Sequence, residues 1–127
     1  MKILIVTQYY FPEQFQINEI APELVRRGHE VTVLCGVPNY PKGIVFQGYE
    51  TADDCKQKER EYYKQTGVRV IHAKQYPRGN NPFSLLKNYF SFVKNSKEVI
   101  RNLSSNFDVV LGYQLSPITS MYAAVEY

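Results

Sequence analysis

Four short stretches concentrate side chains that can grip a ligand or move a proton. The first is Gln8-Tyr9-Tyr10-Phe11-Pro12-Glu13-Gln14-Phe15, where one carboxylate stands among amides and rings. Glu13 could act as a catalytic base on a hydroxyl, bind one, or accept backbone amides at the start of a following helix. The second stretch is Asn39-Tyr40-Pro41-Lys42, the third Arg78-Gly79-Asn80-Asn81, and the fourth Tyr113-Gln114-Leu115-Ser116. Aromatic rings pack on the apolar faces of sugars, and amides hydrogen-bond their hydroxyls. The candidate binding residues are therefore Gln8, Tyr9, Tyr10, Gln14, Asn39, Tyr40, Lys42, Arg78, Asn80, Tyr113, Gln114 and Ser116, and the ligand class they suit is a sugar or a sugar-lipid.

Other chemistries lack their signatures. No GxGxxG follows the first apolar run, and there is no GxxxxGK[ST]. No HExxH, paired Cys/His cluster or GxSxG appears, so neither a metal site nor a nucleophile elbow is expected. Ser116 has no obvious base beside it. Cys35 and Cys55 lack a metal-ligand spacing and read as reduced structural thiols. A net charge of +3 is too small to argue for nucleic acid. The chain contains neither an apolar run of membrane-spanning length nor a signal-peptide pattern, so the expected location is cytoplasmic.

The elements that must hold these stretches follow from the apolar patterning. Met1 to Thr7 is a continuous apolar run rich in β-branched residues, as in a strand buried on both faces. Ile17, Ile20, Ala21, Leu24, Val25 and Gly28 keep helical spacing, with Asn18 as a plausible cap and Gly28 at the stop. Val31 to Cys35 is a second strand, completing a βαβ unit that should be parallel and right-handed. Prolines and glycines make residues 36–43 a loop. Asp53 to Lys64 reads as a polar helix or a flap. Val68 to Ala73 is a third strand and Asp108 to Tyr113 a fourth. The expected class is α/β, Rossmann-like, a mostly parallel sheet with helices on both faces. In such sheets ligands bind beyond the carboxyl ends of the strands, where all four stretches fall.

Residues 83–104 form the longest expected helix. Leu86, Tyr89, Val93, Ser96, Ile100 and Leu103 should line its buried face, widened by Leu85, Phe92 and Val99. Phe83, Lys87, Phe90, Lys94, Lys97 and Arg101 share the opposite stripe. Four cations with two phenylalanines suit an anionic membrane surface, or else a solvated face. A last helix is expected from Ile118 to Tyr127. Its pattern stops without a cap, so the chain is expected to be part of something larger.

Four stretches occur in an order similar to that of a known family. They are Tyr10-Phe11-Pro12-Glu13-Gln14-Phe15-Gln16-Ile17-Asn18-Glu19-Ile20, then Glu23 to Leu34 (ELVRRGHEVTVL), then Pro38-Asn39-Tyr40-Pro41-Lys42-Gly43, then Tyr113-Gln114-Leu115-Ser116-Pro117-Ile118. On these the chain resembles the amino-terminal half of bacterial family 4 glycosyltransferases of the GT-B type. Within them it looks most like the capsule, O-antigen and exopolysaccharide subgroup related to L-fucosamine transferases. The resemblance implies two Rossmann-like domains facing across a cleft. Residues 1–127 would be the acceptor-binding domain, incomplete and without its donor domain. The other half would bind the nucleotide-sugar, a co-substrate rather than a cofactor, and carry a Glu-x7-Glu motif. The implied acceptor is a lipid-linked saccharide at the inner face of the cell membrane. The first loop lacks the glycine pair that many relatives place near the donor phosphates. The fragment alone is not expected to catalyse. Two alternatives are a stand-alone, non-catalytic carbohydrate-binding α/β module and a fragment of a GT-B epimerase.

Overall fold

The computed structural model describes residues 1–104, 106–115 and 121–127. The opening apolar run becomes strand β1 (Lys2–Val6), whose last four residues are all buried. It pairs in parallel with β2 (Glu30–Gly36) on one side and β4 (Val109–Gly112) on the other, and β2 pairs with β3 (Arg69–Ala73). The strand order is β3-β2-β1-β4 and every pairing is parallel. This is an α/β, Rossmann-like fold.

Alternation of side chains along the strands divides the core into two layers. Ile3, Ile5, Val31, Val33 and Val70 meet Ile17 and Ala21 of α1 (Ile17–Arg26) and Tyr62 of α2 (Ala52–Thr66). Leu4, Val6, Leu34 and Ala73 meet Phe92 and Ile100 of α3 (Pro82–Arg101) and Ala123 of α4 (Met121–Glu126). Helices therefore cover both faces. Among the described residues no helix is long and apolar enough to cross a membrane.

Local chemistry sets most helix ends, and differs from expectation at one. α1 starts after Gln16 with no side-chain cap, and Asn18 instead donates to the Glu13 carbonyl. Pro22 consequently lies inside the helix. At the other end Gly28, with φ at 86°, donates to Val25 while His29 reaches back to Leu24. That pair of bonds satisfies the last carbonyls. For Asp53 to Lys64 the helix holds: Thr51 and Asp54 form a reciprocal capping box, and Gly67 ends α2 in the left-handed region. Asn81 and Ser84 cap α3 in the same way, with Pro82 at its first position.

The buried face of α3 is rotated from the expected one. Asn88, Phe92, Ser96 and Ile100 form its centre, and Leu86 is 51% exposed. The reason is polar. Asn88 accepts from Gln8 Nε2 at 2.8 Å and donates to the Tyr76 carbonyl, which draws it to the sheet. Two residues back, about 200° around the helix, Leu86 must then face out.

Candidate binding site at the carboxyl edge of the sheet

The first three strands run parallel and deliver their following loops to the same edge. The loop after β1 is fixed to the loop after β2 by one side chain. Glu13 is buried, and its Oε1 accepts the Tyr40 amide at 2.7 Å and the Asn39 amide at 2.9 Å. Its Oε2 accepts the Tyr10 amide at 3.3 Å. Burial pushes this carboxyl up to about 7, even though all three amides favour the charged form. Both oxygens are turned toward the backbone, so Glu13 works as a latch between loops. It has no oxygen directed at open space.

The latch sets three rings against one another. Tyr9 lies 5.6 Å from Phe15 and 5.3 Å from Tyr40 between centroids, and Phe15 lies 5.5 Å from Tyr40. The loop after β3 brings Arg78 to this cluster. Its guanidinium is 5.5 Å from the Tyr40 ring centroid and donates to the Tyr9 hydroxyl at 3.2 Å. Burial raises the Tyr9 phenol, with Arg78 opposing it, so Tyr9 stays neutral and able to hydrogen-bond. Asn39 holds the base of the arrangement: it accepts the Arg78 amide and donates to the Val37 carbonyl, both at 2.8 Å. Gly43 permits this closeness, because a Cβ built there would lie 1.6 Å from the Arg78 carbonyl oxygen.

Beneath the rings, Gln8 donates to Asn88 and to Gln75 Oε1 at 3.2 Å, and Gln75 donates to the Val37 carbonyl at 2.8 Å. This network ties the ends of the first three strands to α3. Comparison with protein-family models, curated proteins and solved structures finds no match.

The candidate residues therefore separate by role. Tyr9, Tyr40 and Arg78 come together, with Tyr40 exposed at the rim. Gln14, Lys42 and Asn80 are exposed and have no hydrogen-bond partner among the described residues. Gln8, Tyr10 and Asn39 are buried and committed to the protein; the Tyr10 hydroxyl bonds that of Tyr62 at 3.0 Å. Tyr113 packs half-buried against the α1 layer. Gln114 carries a buried Oε1 with no partner among the described residues. Ser116, and the Pro117-Ile118 that follows it, lie outside the described residues. Phe15, Gln75 and Asn88 belong to the arrangement although sequence reasoning did not nominate them as site residues. For Asn88 there was a signal, since an amide stands among apolar positions at helical spacing. Among the described residues no group of His, Cys, Asp and Glu could hold a metal ion. Cys35 and Cys55 are buried, and burial pushes the Cys55 thiol up to about 11.

The stripe on α3 splits into two halves. Lys97 and Arg101 both pair with Glu126 of α4, Lys97 at 3.0 Å. The amino-terminal half is open: Phe83 is 84% and Phe90 61% exposed, and Leu86 joins them. Lys87 lies 3.6 Å from the Tyr76 ring centroid, and Lys94 is exposed without a partner among the described residues.

Chemically the loop edge offers stacking faces, one guanidinium and free amides. It offers no free carboxylate on the four candidate stretches, since Glu13 is the only one there. Such an arrangement suits stacking and hydrogen bonding, and the Glu13 oxygens are taken up by the amides of Tyr10, Asn39 and Tyr40.

Proposed function

We propose that this chain is the acceptor-binding portion of a glycosyltransferase that moves a sugar from a nucleotide-sugar onto a lipid-linked saccharide during capsule, O-antigen or exopolysaccharide assembly. The observation that carries this reading is the Glu13 latch. The two stretches with the most specific resemblance, Tyr10 to Asn18 and Pro38 to Gly43, are hydrogen-bonded to each other through one buried carboxylate. The rings this gathers suit an acceptor sugar, and Arg78 with Lys42 suits the diphosphate that links it to lipid. The donor would enter from a second, facing domain. The role of these loops is to hold the acceptor hydroxyl in line with the donor's anomeric carbon and to exclude water. The open half of the α3 stripe, Phe83, Leu86 and Phe90 with Lys87 and Lys94, suits an anionic membrane surface carrying that acceptor.

The test is calorimetric titration of the chain with a polyprenyl-diphosphate-linked disaccharide in detergent micelles. Binding is expected, and Tyr40→Ala should weaken it roughly tenfold, the equivalent of about 1.4 kcal/mol for one stacking face. No binding above empty micelles, or an unchanged affinity in Tyr40→Ala, refutes the assignment.

A further inference from the structure

The loop after β1 shows rings on two sides. Tyr9 and Phe15 face Tyr40, whereas Phe11 packs against Tyr62 of α2, with centroids 4.7 Å apart. On that second side lies a cavity of about 450 Å3, within the range of small-molecule sites. Phe11, which is 41% exposed, and Phe46 give it aromatic walls. Gln47 and Gln65 enter its rim exposed, and neither amide has a partner among the described residues. Lys58 and Glu61 are the charged residues of the lining, an ion pair at 3.3 Å.

The charge of this lining selects the ligand. One cation and one carboxylate cancel, so a phosphate or nucleotide gains nothing here. A larger groove on the far side of α2 differs, gathering Lys56, Arg60, Lys64 and Arg69 against Glu59 alone. The exposed Phe11 ring and the half-buried Phe46 ring beside unengaged amides fit a ligand with one apolar face and a rim of hydroxyls, as in a neutral sugar.

We propose that this cavity is a second saccharide subsite, taking a neutral sugar unit of the acceptor beyond the unit held at Tyr9, Phe15 and Tyr40. The proposal rests on the acceptor-binding reading. It adds that the acceptor carries at least two sugars, laid across the two sides of one loop. Tyr62 couples the sides, because its ring backs Phe11 while its hydroxyl bonds Tyr10.

The experiment presents the chain to an array of neutral oligosaccharides of two to six sugars from bacterial surface polysaccharides. The parent is compared with Phe11→Ala, Gln65→Ala and Tyr40→Ala. At least one oligosaccharide should bind, and both Phe11→Ala and Gln65→Ala should weaken it at least tenfold. Gln65 has no bond to lose, so that variant stays informative should Phe11→Ala unfold. Binding weakened by Tyr40→Ala yet unchanged in the other two overturns the second subsite and leaves the proposed function standing. A parent that binds none of the array also overturns the subsite, and the lipid-linked titration then judges the proposed function by itself.

Discussion

Replacing Glu13 with glutamine tests the latch through its pH dependence. The ordinary value for this carboxyl is 4.5, and burial pushes it up to about 7 in the folded chain. A group held above its unfolded value contributes stability that is fully present below pH 4.5 and lost as the pH rises through 7. At about 1.4 kcal/mol per tenfold change in proton affinity, the loss is roughly 3 kcal/mol. When the group is protonated, the proton belongs on Oε2. That oxygen has only the 3.3 Å contact to the Tyr10 amide, whereas Oε1 takes two shorter bonds. Glutamine keeps the oxygen for Asn39 and Tyr40 and turns its amino group toward Tyr10, losing one bond at about 1 kcal/mol. The variant should therefore be about 1 kcal/mol less stable than the parent at roughly pH 4 and about 2 kcal/mol more stable at roughly pH 8.5. Urea unfolding followed by circular dichroism across that range gives both curves, and they should cross near pH 5 by the same figures. Curves that stay parallel would mean that Glu13 carries no burial cost, and the argument would fail.

Gly43→Ala combines a left-handed φ of 72° with a Cβ 1.6 Å from the Arg78 carbonyl oxygen. It should cost about 3 kcal/mol or more and loosen Arg78 from the rings, while Gly28→Ala, with φ 86° and open space around it, should cost only about 1 kcal/mol. Equal shifts in their melting temperatures would remove the steric argument. On vesicles containing phosphatidylglycerol, Lys87→Gln with Lys94→Gln should weaken binding about thirtyfold, at about 1 kcal/mol per cation. Lys97→Gln with Glu126→Gln should change it less than about threefold, since that pair removes one cation and one carboxylate and leaves the net charge of the cluster with Arg101 as it was. Identical losses in the two double variants would show that the stripe acts undivided.

The strands were legible because each is a short apolar run between turn residues, and parallel pairing follows from the helices between them. Caps made of neighbours in sequence, such as Asn81 with Ser84 and Thr51 with Asp54, mark helix starts by local chemistry alone. The site was less legible because its bonds join distant positions. Nothing near Glu13 in the sequence shows that its acceptors will meet the amides of Asn39 and Tyr40. Tyr10 looks like a ligand contact until Tyr62 arrives from α2 to take its hydroxyl. The face of α3 was misread for the same reason. An apolar count centres the helix on its leucines and valines, and the count omits the pull of Gln8 on Asn88.

The strand order also governs how the molecule comes together and apart. β1 pairs with β2 through Lys2 and Glu30, and with β4 through Ile3 and Val109. The second closure spans nearly four times as much chain. Two doublings of loop length add roughly 1.2 kcal/mol of entropy cost. Four residues, none of them fully buried, must offset it. β1, β2 and β3 can zip together while the β4 segment is still emerging from a ribosome, leaving one side of the central strand bare until it arrives. In the finished molecule that seam opens most easily, so β4 amides should be the first in the sheet to exchange with solvent.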